Sequence, residues 1–276
     1  MNSNDQDHSE KVRNWWTTDI IDMRPGKIRI RGKNIEELIG GISFVQMIWL
    51  MLRGDIPDPE QARLLEAALV ASVDHGPQAP AIAAARMAVS CGNSLNHALG
   101  SAVNMLGDVH GGAGEHCLEL MQKTKEILDS GNNLESSVEK IISEHQLSKG
   151  KYIPGFGHRF HKPEDPRAPR LMYLTADAEA NKIVSGSFMR IGLEIQRQLS
   201  QGKSTGIAMN IDGATAVIFG ELEFAPPLAR GLFCLSRSVG ILAHAWEQQN
   251  QGGRNKGPTP PEFLWNYTGK NPLERD

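Results

Sequence analysis

The stretch from Tyr152 to Arg170, YIPGFGHRFHKPEDPRAPR, limits what this chain can fold into more than any other part of it. It holds four prolines, two histidines, four arginines or lysines and two acids in nineteen residues. Proline fixes φ, lacks a backbone donor and restricts the residue before it, so most of this stretch is excluded from helix interior. Gly155 and Gly157 allow tight turning just before His158. The expected result is a rigid polar loop that presents His158 and, nine residues on, Arg167. That spacing suits a substrate with a carboxylate near the atom that His158 serves. An ordinary charged surface loop is the alternative that the stretch alone leaves open.

Around this loop the chain reads as helix. Residues 26–33, GKIRIRGK, alternate Ile with Arg or Lys and predict a short β-ribbon. Residues 1–14 predict a disordered segment or an arm, followed by Trp15 and Trp16 as a first apolar anchor. Asn34 can cap a helix with Glu36 and Glu37 in its first turn, and Pro59 after Asp58 suits a helix start. Further helices are expected over 79–91, 95–106, 113–128, 134–145, 170–180, 187–199 and 228–249, with an apolar run at 214–220. A Gly/Pro-rich tail from Gly252 ends in Phe263, Trp265 and Tyr267. The fold class predicted is all-α.

A length of 276 residues with 40% hydrophobic content allows one large or two modest domains. A net charge of −3 argues against a nucleic-acid binder. The longest apolar run, Phe44 to Leu52, is too short to span a membrane, and the polar N-terminus has no secretory pattern. Cys91, Cys117 and Cys234 are widely spaced and read as buried small hydrophobes in a reducing cytoplasm.

Chemically able residues gather at four helix breaks: Asp74-His75-Gly76, Asp108 to Gly112, the loop at His158, and Asn210 to Gly213. Such breaks are where helices can bring polar groups together. Each has a bland alternative. His75 could cap a helix C-terminus, His110 could be a satisfied loop histidine, and Asp212 could be an N-cap. Arg237 lies inside the apolar segment CLSRSVGIL and needs either a structural carboxylate or a ligand's. The histidines follow glycines instead of helical i,i+4 spacing, so no metal site is expected. Gly155-x-Gly157 lacks the context of a dinucleotide fingerprint.

Taken together, six motifs resemble the citrate synthase superfamily. They are Asp-His-Gly-Pro at 74–77, Gly-Asp-Val-His-Gly-Gly-Ala at 107–113, Pro-Gly-Phe-Gly-His-Arg at 154–159, Asp-Pro-Arg at 165–167, Asn-Ile-Asp-Gly at 210–213 and Ser-Arg-Ser-Val-Gly at 236–240. Their order is that of the superfamily, and the resemblance runs from about Gly32 to Gly269. The short segment before His75 and the Asp-His-Gly-Pro motif resemble the citryl-CoA lyase group, including the C-terminal lyase module of ATP-citrate lyase. From that module the chain departs at His110.

The resemblance implies roles. Asp212 would move a proton at the α-carbon of an acyl-CoA thioester. His110 would hydrogen-bond the thioester oxygen as it becomes an enol or enolate. His158 would be acid or base at the oxygen of the oxoacid partner. His75, Arg167 and Arg237 would bind the oxoacid. Ile153, Pro154, Gly155, Phe156 and Gly157 would form the coenzyme A loop. Arg254, with Lys256 second, would be the candidate for an arginine brought by a partner subunit. The resemblance also implies acyl-CoA and oxoacid as small-molecule partners, no metal or redox cofactor, and a homodimer or higher homo-oligomer. It implies a large helical part of residues 1–110 and 225–276, and a smaller part, 111–224, carrying the coenzyme A loop. The activity implied is cleavage of citryl-CoA or a related 3-hydroxyacyl-CoA, with citrate or 2-methylcitrate synthesis and a non-catalytic acyl-CoA-binding subunit as alternatives.

Overall fold

A computed structural model describes residues 11, 12, 14–158, 160–162 and 164–270. The expected disordered segment or arm therefore lies almost wholly outside the described residues. The chain forms two compact units, the first ending at Glu66 and the second beginning at Ala67.

In the first unit the alternating segment is one strand of a three-stranded antiparallel meander. Strands β1 (Ile21–Arg24), β2 (Lys27–Ile30) and β3 (Lys33–Asn34) follow chain order. Ile21 faces Ile30 and Met23 faces Ile28. Arg31 and Gly32, both at positive φ, make the tight turn from β2 to β3. Trp15 and Trp16 do not anchor the unit: both are exposed, before β1 begins. Helix α1 (Ile35–Leu38) follows Asn34, whose side chain donates to Glu37 instead of capping. Helix α2 (Phe44–Arg53) is opened by a capping box between Ser43 and Gln46. As expected, α3 (Pro59–Ser72) opens at Pro59, with Asp58 accepting from the Glu60 N–H.

The second unit is helical. After α3 come α4 (Pro80–Ser90), α5 (Leu95–Val103), α6 (Ala113–Asp129), α7 (Leu134–Lys149), α8 (Arg167–Ala180), α9 (Ser187–Ser200), α10 (Ile211–Glu221) and α11 (Pro226–Gln251). The all-α expectation holds. The proline-rich loop is shorter than predicted, since α8 starts at Arg167 and not Arg170. Pro169 is tolerated there because the first helical turn needs no N–H donor.

Two helices organise the unit. Helix α10 is apolar on every side and every residue from Gly213 to Glu221 is buried, as an all-round hydrophobic helix must be. It packs against α6, α8 and α9. The buried Glu221 at its end accepts from the Gly186 and Met189 N–H groups and the Ser185 hydroxyl, which fixes the start of α9. Helix α11 packs against α4, α5 and α6. Its Ile241 and Ala245 share a core with Ile82, Ala85, Ala98 and Ala102, where small side chains let helices approach closely. Of the cysteines, Cys117 is buried and Cys234 half-buried. Cys91 is exposed, contrary to expectation, because it falls just past the end of α4. Among the described residues no helix is long and apolar enough to cross a membrane.

Candidate active site

The loop before His158 is fixed by the chain entering α10. The Gly157 N–H donates to Ala208 O at 2.7 Å, and the Asn210 N–H donates to Gly155 O at 3.0 Å. The Asn210 amide also donates to Gly157 O. Phe156 and Met209 form an antiparallel bridge. Glycine is required at two of these positions. A Cβ on Gly213 would lie 2.3 Å from Gly155 O, and a Cβ on Gly155, at φ +86°, would lie 2.5 Å from Cys117 Sγ. The expected coenzyme A loop thus has Ile153 and Gly155 buried, with Pro154, Phe156 and Gly157 half-buried.

This contact sets His158 beside the start of α10. Its Nδ1 accepts the N–H groups of Phe160 and His161, both at 3.0 Å. A nitrogen that accepts carries no proton, so the neutral ring holds its hydrogen on Nε2. Burial, and then the nearby His161, hold its pKa below the ordinary value of 6.5 although Asp165 pulls the other way.

Asp212 is not the cap that its position allowed. Asn210 caps α10, its side chain accepting from the Asp212 and Gly213 N–H groups. The Asp212 carboxylate accepts no hydrogen bond among the described residues. Burial raises its pKa, opposed by the positive charges of Arg237 and Arg167. Cys117, whose thiol burial pushes far up, lies near it as an unionised neighbour.

His110 sits on the turn between α5 and α6. Its Nε2 accepts the Ala81 N–H at 3.3 Å, from the first turn of α4. The hydrogen of the neutral ring is therefore on Nδ1. Burial and the charge of Arg237 lower its pKa. The turn is held by Arg230 of α11, paired with Asp108 at 2.7 Å and also with Glu115. Gly111 carries no Cβ because one would lie 3.1 Å from Phe233.

Arg237 is buried. Its Nε donates to Ser72 O at 3.1 Å, and its guanidinium lies 4.8 Å from the Phe233 ring centre. No carboxylate pairs with it among the described residues, and desolvation lowers its pKa against the pull of Asp74 and Asp212. A buried guanidinium in that condition is suited to an anionic ligand.

An open cavity of about 910 Å³ is lined by His75, His158, His161 and Arg167. His75 is not a helix cap: α3 ends at Ser72, and the His75 and His158 rings stand 5.6 Å apart. Arg167 is engaged by Asp165, whose two oxygens take its Nε and Nη2 at 2.9 and 2.7 Å. Burial alone would raise the Asp165 carboxyl, but the hydrogen bonds from Arg167 hold it down at about 2. His158 Nε2 lies 4.0 Å from Asp165. The Asp-Pro-Arg spacing is the sequence signal for this carboxylate.

His158, His161 and Asp165 offer ligand atoms within 4.8 Å of one another, the one such trio among the described residues. Both Asp165 oxygens already serve Arg167, and that cation opposes a metal ion beside it. Arg254 stands apart from these groups. It is exposed on the segment that the Asn255 and Lys256 N–H groups tie to Ser90.

The family described as "Citrate synthase, C-terminal domain" matches residues 51–257, which is most of the chain. The chain belongs to the citrate synthase family. A citrate synthase of Acidithiobacillus ferridurans is 29% identical over 212 residues, covering 76% of this chain and 52% of that protein. The chain thus spans about half the length of the curated relatives it matches. A solved citryl-CoA lyase from Hydrogenobacter thermophilus is 32% identical, with a TM-score of 0.81 over 95% of this chain and 97% of that one. An ATP citrate lyase from Methanothrix soehngenii, solved with citrate and coenzyme A, is 22% identical at a TM-score of 0.75. It covers 98% of this chain and 46% of that one, a likeness of fold.

Proposed function

We propose that the protein is a citryl-CoA lyase-like enzyme, acting on citryl-CoA or a related 3-hydroxyacyl-CoA to give acetyl-CoA and oxaloacetate or another oxoacid. The likeness to citryl-CoA lyase over 95% of the chain carries this reading. A citrate or 2-methylcitrate synthase is the second reading, favoured by the curated relatives named citrate synthase and by the donor geometry of His110.

Both readings share one carbon–carbon step. In the condensing sense, Asp212 takes a proton from the acyl-CoA α-carbon, helped by its raised pKa. His110 donates from Nδ1 to the thioester oxygen as charge develops there. The enol carbon attacks the oxoacid carbonyl, and His158 Nε2 gives its proton to the new hydroxyl oxygen. Cleavage reverses each step from the complementary protonation state, with His158 Nε2 bare and Asp212 protonated, so the hydroxyl proton goes to His158 Nε2 and Asp212 gives its proton to carbon. Arg237, Arg167 and His75 hold the oxoacid carboxylates, since guanidinium forks match carboxylates. The loop 153–157 takes coenzyme A. No step uses a metal or a redox cofactor.

We also propose that the part of 111–224 closes over the ligands against the rest and excludes water. A homodimer is part of the reading. Leu235, Val239, Leu242 and Trp246 form an exposed apolar stripe on α11 at helical spacing, suited to a second copy of the same chain. Arg254 would then serve the partner's site.

A paired assay on purified protein tests the reading. Citryl-CoA is supplied in one arm and oxaloacetate is followed; acetyl-CoA and oxaloacetate are supplied in the other and free thiol is followed. Oxaloacetate in the first with no thiol in the second is the expected result. Thiol release would make the protein a synthase, and silence in both would overturn both readings.

A further inference from the structure

The proposed oxoacid-binding His75 sits on a turn with no helix of its own, yet its approach is tied down one residue at a time by α11. The Ser236 hydroxyl donates to Leu69 O and Arg237 Nε to Ser72 O. Gly240 lets the helix touch the backbone directly, since a Cβ there would lie 2.1 Å from Val73 O. One turn on, His244 Nε2 lies 3.1 Å from Asp74 Oδ1. Residues 236, 240 and 244 form one stripe of the helix, and their contacts climb through 69, 73 and 74.

His244 is held in one tautomer. Its Nδ1 faces Arg86 Nη1 at 3.2 Å, and a guanidinium only donates. Nδ1 is therefore the acceptor, and Nε2 carries the hydrogen that Asp74 receives. Arg86 is itself held by Glu247 and by Gln251, at 2.9 Å, further along α11. On its other side the Asp74 carboxylate faces the backbone of the turn, and the nearby Gly76 and His75 N–H groups help to lower its pKa. Burial alone would raise that carboxyl, but the His244 ring and the nearby Gly76 N–H outweigh it and hold it below its ordinary value. Gly76, at φ +80°, completes the turn in a conformation that favours glycine.

We propose that His244 is a positioning residue for His75: through Asp74 it fixes the turn that presents the His75 ring to the cavity. Arg86 sets the His244 tautomer, Asp74 is the hub, and α11 is the rigid support. In this arrangement α11 serves both oxoacid groups, carrying Arg237 directly and steering His75 through His244. The proposal rests on the oxoacid-binding role given to His75.

The test uses the full-length protein and two variants. In His244→Ala the donor to Asp74 is gone; in His244→Gln the amide nitrogen replaces Nε2. With His244→Ala the KM for oxaloacetate, or for citryl-CoA in cleavage, should rise about tenfold, with acetyl-CoA KM and kcat changed less than about twofold. His244→Gln should recover most of the loss. A fall in kcat alone, or no rescue by glutamine, would overturn the proposal. Nitrogen-15 histidine NMR on the same proteins gives a readout that needs no activity. His244 should show a protonated Nε2 and bare Nδ1, and His75 should shift in His244→Ala while His110 does not. His75 signals unmoved by His244→Ala would overturn the proposal even in a protein with no lyase activity. An inactive wild type with the expected NMR shifts would instead sink the functional reading and leave the positioning intact.

Discussion

His110 and His158 are both held neutral by the same device, used in opposite senses. Each gives one ring nitrogen to backbone N–H groups. His110 gives Nε2 to Ala81, and His158 gives Nδ1 to Phe160 and His161. The free hydrogen is therefore on Nδ1 in one ring and on Nε2 in the other. The origin of the donors differs too. Those of His158 come from its own loop, two and three residues away, whereas that of His110 comes from another helix, 29 residues away. Backbone donors thus choose the tautomer, and the tautomer decides which atom of each ring can meet a substrate oxygen.

In the proposed mechanism Asp212 moves the proton at carbon, so its loss should be the largest effect. Asp212→Asn should lower carbon–carbon cleavage by about a thousandfold or more, while acyl-CoA still binds and the melting temperature stays close to wild type. Near-normal turnover in that variant would remove Asp212 from the mechanism.

The contrast between the histidines is sharpened by amide substitution, because asparagine places a donor near Nδ1 and glutamine near Nε2. His110→Asn should retain more activity than His110→Gln, and His158→Gln more than His158→Asn, each pair differing by about tenfold. The same ranking at both positions would break the comparison. A smaller effect is expected from crowding the contact that sets His158 beside the start of α10. Gly213→Ala drives a Cβ toward Gly155 O and should destabilise the protein by about 2 kcal/mol, read as a lower urea midpoint.

The smallest effect is on pH dependence. His75, His110 and His158 all have pKa values lowered from 6.5, with burial the largest cause in each. Between those depressed values and 6.5 the unfolded chain binds more protons than the folded one, so these groups make stability fall as pH drops below 6.5. Asp212, raised by burial, acts in the opposite sense, its contribution being lost as pH rises through its elevated pKa. Urea midpoints at about pH 7.5 and about pH 6 should therefore fall on acidification, more steeply in wild type than in His158→Gln.

Much of this arrangement is legible in the chain itself. Glycines and prolines stand beside polar residues at the turns of His75, His110, His158 and Asn210, so those breaks were readable from the sequence, as was the all-α class, although Gly240 and Pro169 lie inside helices. The alternation at Ile28 and Ile30 was a real strand, although its partners on either side were not foreseen. The capping assignments were harder. Asn210 and Asp212 are equally good caps by residue type, and Asn210 wins because Gly155 and Gly157 fix its backbone and amide across the fold. Arg167 was expected in a loop and opens α8, since a first-turn proline does not oppose helix. Asp165 is signalled only by its place in the Asp-Pro-Arg motif, and Arg230 and His244 by nothing local, because a single polar residue in a helix has no pattern of its own.

The sequence by itself determined where backbone conformation must change, because φ restriction at proline and φ freedom at glycine are properties of single residues. It also determined which segments must be buried, since the periodicity of apolar side chains is local. Only the tertiary structure decided which groups meet at those breaks. The Ala81 N–H that sets His110, the Ser72 carbonyl that holds Arg237 and the His244 ring on Asp74 come from elements far apart in the chain. Hydrogen bonds are directional and short, so such partnerships arise only after helix packing has fixed the distances.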